Sequence, residues 1–110
     1  MSQYPIPPGA LNALAGILST RHVLLVTYDL RTPTHNYNPF YEALRNQGEW
    51  WHYLTSTWLI YTNKTSQSLY GSVVQYITTS DSLLIVPVKK PYWGYLPKDA
   101  WDWINARLTD

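Results

Sequence analysis

His22-Val23-Leu24-Leu25-Val26-Thr27-Tyr28 is the stretch on which the fold turns. Its apolar and β-branched side chains occupy both parities, so a strand here carries an apolar row on each face and belongs at the centre of a sheet covered on both sides. It stops at Asp29-Leu30. Residues 31–38 read as a polar loop containing Pro33, after which Phe40, Tyr41 and Leu44 mark one face of a helix ending near Asn46-Gln47-Gly48, with Gly48 placed as its C-cap. Trp50 to Thr62 is aromatic and β-branched but too long for one straight strand, which predicts a break near Thr55-Ser56. Ser66 or Ser68 caps a second helix running to about Thr78, with Leu69, Val73 and Tyr76 or Ile77 inward. Leu83 to Val88 is again apolar on both parities and is closed by Pro87 and Lys89-Lys90-Pro91. Lys98 to Arg107 reads as a last helix with Trp101, Ile104 and Leu108 on one face.

Upstream of the central strand, Pro5, Pro7, Pro8 and Gly9 are breakers, and Leu11, Leu14 and Leu18 give one stripe of a short amphipathic helix at about 10–19. Residues 1–21 are thus expected to be an N-terminal extension and 22–110 the folded domain. The order strand, helix, two strands, helix, strand predicts an α+β fold, a ferredoxin-like β-α-β-β-α-β sandwich with an N-terminal helical extension and a C-terminal helix. Both crossover helices of such a sandwich lie on one face of the sheet. Exposing the other face would leave an apolar patch larger than monomers usually tolerate. Two covers are open: a second copy of the chain, giving a homodimer, or the N-terminal helix folded back.

The 110 residues fit one compact domain, and with 45% hydrophobic and 14% charged residues the chain is too apolar to be disordered. No apolar run approaches the roughly 20 residues that span a bilayer, so no membrane partner is expected. The start carries no basic region of the signal-peptide kind. The chain has no cysteine, which excludes disulfides, thiol catalysis and zinc-thiolate sites and makes a cytoplasmic location the default expectation. A net charge of +1 gives no bulk attraction to nucleic acid, so any anion site must be a local cluster.

Six Trp and ten Tyr stand against a single Phe. Rings with a polar handle favour half-buried places such as interfaces and ligand walls, although a small domain also fills its core with them. Trp50 and Trp51 are neighbours on a strand and must point to opposite faces. Trp101 and Trp103 cannot share a helix face either; Trp101 is expected inside and Trp103 at an edge or interface. Tyr92-Trp93-Gly94-Tyr95 follows Lys89-Lys90, a pairing of rings and positive charge that can stack bases while neutralising phosphate, or else seal the dimer or anchor the C-terminal helix.

Asp29, at the carboxyl end of the central strand, is the candidate catalytic carboxylate and ligand for a hard cation, Mg²⁺ or Mn²⁺, with an ordinary turn residue as the alternative. One carboxylate supplies too few ligands alone, so a symmetric dimer would have to bring two copies together. His35, in the following loop, is a candidate proton shuttle or a merely solvated side chain. His52 reads as an interfacial hydrogen-bonding group. Paired-histidine zinc spacings and Gly-rich phosphate loops are absent from the sequence.

Val23 to Leu30, the loop after it, Tyr41-Glu42-Ala43-Leu44, Gly48, and Leu54-Thr55-Ser56-Thr57-Trp58-Leu59-Ile60 together resemble the Cas2-like and SinR-like group of small ferredoxin-fold proteins. The stretch from Gly48-Glu49-Trp50-Trp51-His52 to Ser56-Thr57-Trp58-Leu59, with Asp81-Ser82-Leu83-Leu84-Ile85, is closest to the SinR-like branch. The resemblance covers roughly residues 22–108. It implies a homodimer, metal-dependent phosphodiester hydrolysis at the residue matching Asp29, and a matching serine at Ser56. The basic run that follows the aspartate in Cas2 proteins is reduced here to Arg31 and Arg45, which weighs toward binding and against cleavage. The expected function is therefore a dimeric domain that binds nucleic acid or a small nucleotide, with weak nuclease activity at most, through Arg31, His35, Ser56, Lys89, Lys90 and Trp93. The other reading is a module that sequesters a nucleotide ligand or assembles with a larger protein.

Overall fold

The computed structural model describes residues 20–108. The N-terminal helix expected at 10–19 lies outside them. The elements are β1 (His22–Asp29), α1 (Asn38–Arg45), β2 (Glu49–Trp51), β3 (Thr57–Thr62), α2 (Ser66–Val73) with a 3₁₀ turn (Val74–Tyr76), β4 (Ser82–Pro87) and α3 (Lys98–Arg107). The four strands form one antiparallel sheet in the order β2-β3-β1-β4. This α+β architecture is compatible with the ferredoxin-like order of elements.

Strand alternation assigns each row of β1 to a layer. Leu24, Val26 and Tyr28 point to one side, where Leu24 pairs with Ile60 and Val26 with Trp58 across β3. Phe40 and Leu44 of α1 and Leu69 and Val73 of α2 close over them, and all four are fully buried. Trp58, only 1% exposed, keeps its polar handle satisfied by donating Nε1–H to the Tyr28 hydroxyl at 2.9 Å. Removing that phenol from water pushes its pKa up, against the hydrogen bond from Trp58, which lowers it.

The odd row, Val23 and Leu25, faces the other side. Neither a second copy nor the N-terminal segment is needed to bury Val23, because α3 crosses this face and packs Ile104 against Val23 and Leu59. Trp51, Tyr61, Val88, Tyr92, Leu96, Trp101, Trp103 and Leu108 surround that second, smaller core. Coverage is incomplete on the β4 side. Leu84 and Val86, opposite Thr27 and Leu25, remain 58% and 37% exposed, so β4 is a half-covered edge strand and not the doubly buried strand its composition predicts. Trp101 is half-buried, contrary to the expected full burial, since its ring stacks on Tyr92 at 6.3 Å and lines an open groove.

Local corrections have simple causes. Helix α1 ends in Asn46 at right-handed dihedrals, and Gly48 does not adopt positive φ. Gly48 is needed for closeness instead: a Cβ there would run into the Tyr61 carbonyl oxygen. The cap of α2 is Thr65, whose hydroxyl accepts from Ser68 N–H at 3.0 Å, one residue before the predicted serine. The break in the long aromatic stretch falls where expected, between β2 and β3.

Candidate anion-binding cleft

Antiparallel pairing of β1 with β4 brings the exit of β4 beside the entry of β1. The ladder continues one residue past Pro87, with Val88 N–H donating to the Val23 carbonyl at 2.9 Å. Lys89 and Lys90 are thereby laid next to Arg21 and His22. The last turn of α3 ends over the same place, and Arg107 completes a cleft of about 510 Å³ whose floor includes Tyr61. Arg21, Lys89, Lys90 and Arg107 are four of the eight Lys and Arg residues of the whole chain.

One carboxylate opposes them. Glu49 accepts from Arg107 Nε at 3.1 Å and lies 3.8 Å from Arg21 Nη1. Four cations less Glu49 leave the cleft at +3, whereas the chain as a whole carries +1. The guanidiniums are held in place by rings: Arg107 lies 4.2 Å from the Trp103 centroid, and Arg21 and Arg107 flank Tyr61 at 5.8 and 5.9 Å. His22 bonds through Nε2 to the Lys64 carbonyl at 2.6 Å. Lys89 and Lys90 are exposed and make no ion pair among the described residues, so their charge is free for a ligand.

Beyond Val88, which lines both, a second and apolar groove of about 370 Å³ opens between α3 and residues 92–96. Trp93 stands at its mouth, fully exposed, as is Tyr95.

The residues expected around Asp29 are arranged differently. The Asp29 carboxylate is taken up by Arg31, whose Nε and Nη2 reach Oδ2 at 2.8 and 2.7 Å. Ser56 is close to this end of β1, but through its backbone: its carbonyl accepts from Tyr28 N–H at 3.1 Å. His35 bonds to the Tyr76 carbonyl at 2.9 Å and abuts the Tyr37 ring, so it serves the loop and not Asp29. His52 stacks on Trp58 at 4.2 Å. Among the described residues no group of three or more His, Cys, Asp or Glu is placed to hold a metal ion, and within one chain Asp29 supplies a single carboxylate, paired with Arg31.

Asp81 is the carboxylate with the richest environment. It accepts from Arg31 N–H at 2.7 Å, Thr78 N–H at 2.7 Å and the Tyr37 hydroxyl at 2.8 Å, bolting the loop after β1 to the loop before β4. Loss of water pushes its pKa up, but these donors outweigh that effect and hold it at about 2. Its full set of partners marks it as structural.

Of the predicted site residues, the fold therefore unites Lys89 with Lys90 and, along the adjoining groove, Trp93; it unites Asp29 with Arg31 at the opposite end of β1. Arg21, Tyr61 and Arg107 were not singled out from sequence. The signal was present in the pairing rule alone, because an antiparallel neighbour of residues 23–29 must bring whatever follows Pro87 beside Arg21. No protein-family model, curated protein or solved structure matches the chain, so these residues carry the functional argument by themselves.

Proposed function

We propose that the chain is a ferredoxin-like, Cas2- and SinR-like homodimeric domain that binds phosphate-bearing ligands, nucleic acid or a nucleotide, without cleaving them. The observation that carries this reading is the convergence of Arg21, Lys89, Lys90 and Arg107 on one cleft of a nearly neutral chain. A solvated face would scatter its cations. Here two are fixed by rings and two are unpaired, an arrangement that supplies both a preformed anchor and free charge. No hydrolytic step is assigned to Asp29, whose carboxylate is neutralised by Arg31.

Fluorescence anisotropy with labelled oligonucleotides, and thermal shift with mononucleotides, test the reading across a salt series. Neutralisation of three phosphates gives a slope of about −2 in log K against log salt on single strands. Replacing Lys89→Ala and Lys90→Ala together should reduce that slope by about 1.4, while Asp29→Asn binds as the parent does. Absence of binding to either ligand class, or binding indifferent to the double replacement, would overturn it.

A further inference from the structure

We infer that the ligand is single-stranded nucleic acid whose unpaired bases occupy the apolar groove beside the basic cleft, an inference that rests on the phosphate-binding reading above. The two depressions are successive levels of one seam. At the level of Arg107 the seam is basic; at the level of Ile104 and Trp101, across Val88, it is apolar. Five of its thirteen lining residues, Trp51, Tyr92, Trp93, Tyr95 and Trp101, carry flat rings, and the Thr57 hydroxyl is already engaged by Thr27 at 3.1 Å. The Tyr92 hydroxyl is shut off from solvent without a hydrogen-bond partner. Trp93 and Tyr95 present whole ring faces to water, at 100% and 102% exposure, in a chain whose other tryptophans are at least partly covered.

Charge beside stacked aromatic surface selects the occupant. A lipid tail would fill the groove but has no use for the four cations that line the adjoining cleft. A duplex would satisfy the cations, yet its base faces are hidden by their neighbours except at the ends. A nucleoside monophosphate offers one phosphate group to a cleft that carries +3, and any mononucleotide, whatever its phosphate count, offers one base to a groove lined by five rings. A single strand alone has repeated phosphates along one edge and free π-faces along the other, which is the order in which the seam presents its groups. Because stacking reads the face of a base and not its edge, the groove should accept different bases with small preferences.

Anisotropy separates this inference from the reading beneath it when three probes of equal length are compared: an oligothymidylate, an abasic phosphodiester strand and a duplex. The expected result is that the oligothymidylate binds about ten-fold more tightly than the abasic strand or the duplex, with quenching of tryptophan emission. Trp93→Ala, at a fully exposed position where folding is not at stake, should remove that preference and leave binding of the abasic strand unchanged. Lys89→Ala with Lys90→Ala should weaken both strands alike. Equal affinity for the oligothymidylate and the abasic strand, or tighter binding of the duplex, would overturn the base groove while leaving the cleft as a phosphate site. Failure of every probe to bind would remove both.

Discussion

Glu49→Gln should strengthen ligand binding, although Glu49 lies outside the set of cations. In the native cleft its carboxylate accepts from Arg107 and lies near Arg21, and it is the only anionic side chain paired with those two residues among the described residues. Glutamine keeps the shape and one acceptor oxygen for Arg107 but raises the cleft from +3 to +4. The cost to folding is small, because a half-exposed ion pair contributes about 0–1 kcal/mol. The gain can be bounded by Coulomb's law. For a phosphate about 6 Å from the carboxylate, the repulsion removed is about 0.7 kcal/mol in a water-like medium and about 3 kcal/mol at an effective dielectric near 20. Affinity at low salt should thus rise between about three-fold and about a hundred-fold, and the salt slope should steepen by about 0.7. Anisotropy titrations over a range of salt concentrations read both quantities. Unchanged or weaker binding by Glu49→Gln, with native circular dichroism and melting temperature, would refute the cleft as the place where phosphate sits.

Asp81 sets an acid limit to stability: its folded pKa, about 2, lies below the ordinary 3.8, so its contribution is complete above that ordinary value and is lost as pH falls toward 2. Asp81→Asn should lower the melting temperature at neutral pH and flatten its fall between pH 4 and 2; identical pH profiles for the two proteins would count against the bolt. The exposed strip of Leu84 and Val86 on β4 is the surface expected to join two copies, so the parent should sediment as a dimer at micromolar concentration and Leu84→Asp as a monomer. A parent that sediments as a monomer would refute that.

The alternation of β1 was sufficient to foresee two buried layers, and the spacing of Phe40, Leu44, Leu69 and Val73 identified the side chains that fill the first. What fills the second was harder to foresee. The stripe of Trp101, Ile104 and Leu108 shows that α3 is amphipathic, but amphipathicity names no partner surface. The partner is set by the path of residues 88–97, a non-local property that local periodicity does not encode. Gly48 illustrates the same limit at smaller scale: a glycine after a helix suggests a left-handed cap, whereas here it permits the backbone to approach Tyr61 in another strand. Thr65 escaped because Thr, Ser66 and Ser68 are all competent caps and only the hydrogen bond distinguishes them.

The candidate site divides along the same line between local and non-local information. Lys89-Lys90 and Tyr92-Trp93-Gly94-Tyr95 are contiguous in sequence and could be recognised as charge beside rings, while Arg21 and Arg107 join them only after strand pairing and helix docking. The division also bears on Asp29. Lys89 and Lys90 lie beside the first residues of β1 and Asp29 ends it, and the eight-residue strand separates its own ends by about 23 Å. A phosphodiester anchored on the cleft of one copy is therefore out of reach of the Asp29 of that copy. Cleavage would require either a strand long enough to follow the sheet from one end to the other or a partner that delivers its own Asp29 to the cleft, and in both cases Arg31 would first have to release the carboxylate. Each requirement is separate from binding. A nuclease working through Asp29 would consequently lose activity in a monomeric Leu84→Asp variant, or on very short strands, while binding at the cleft persisted.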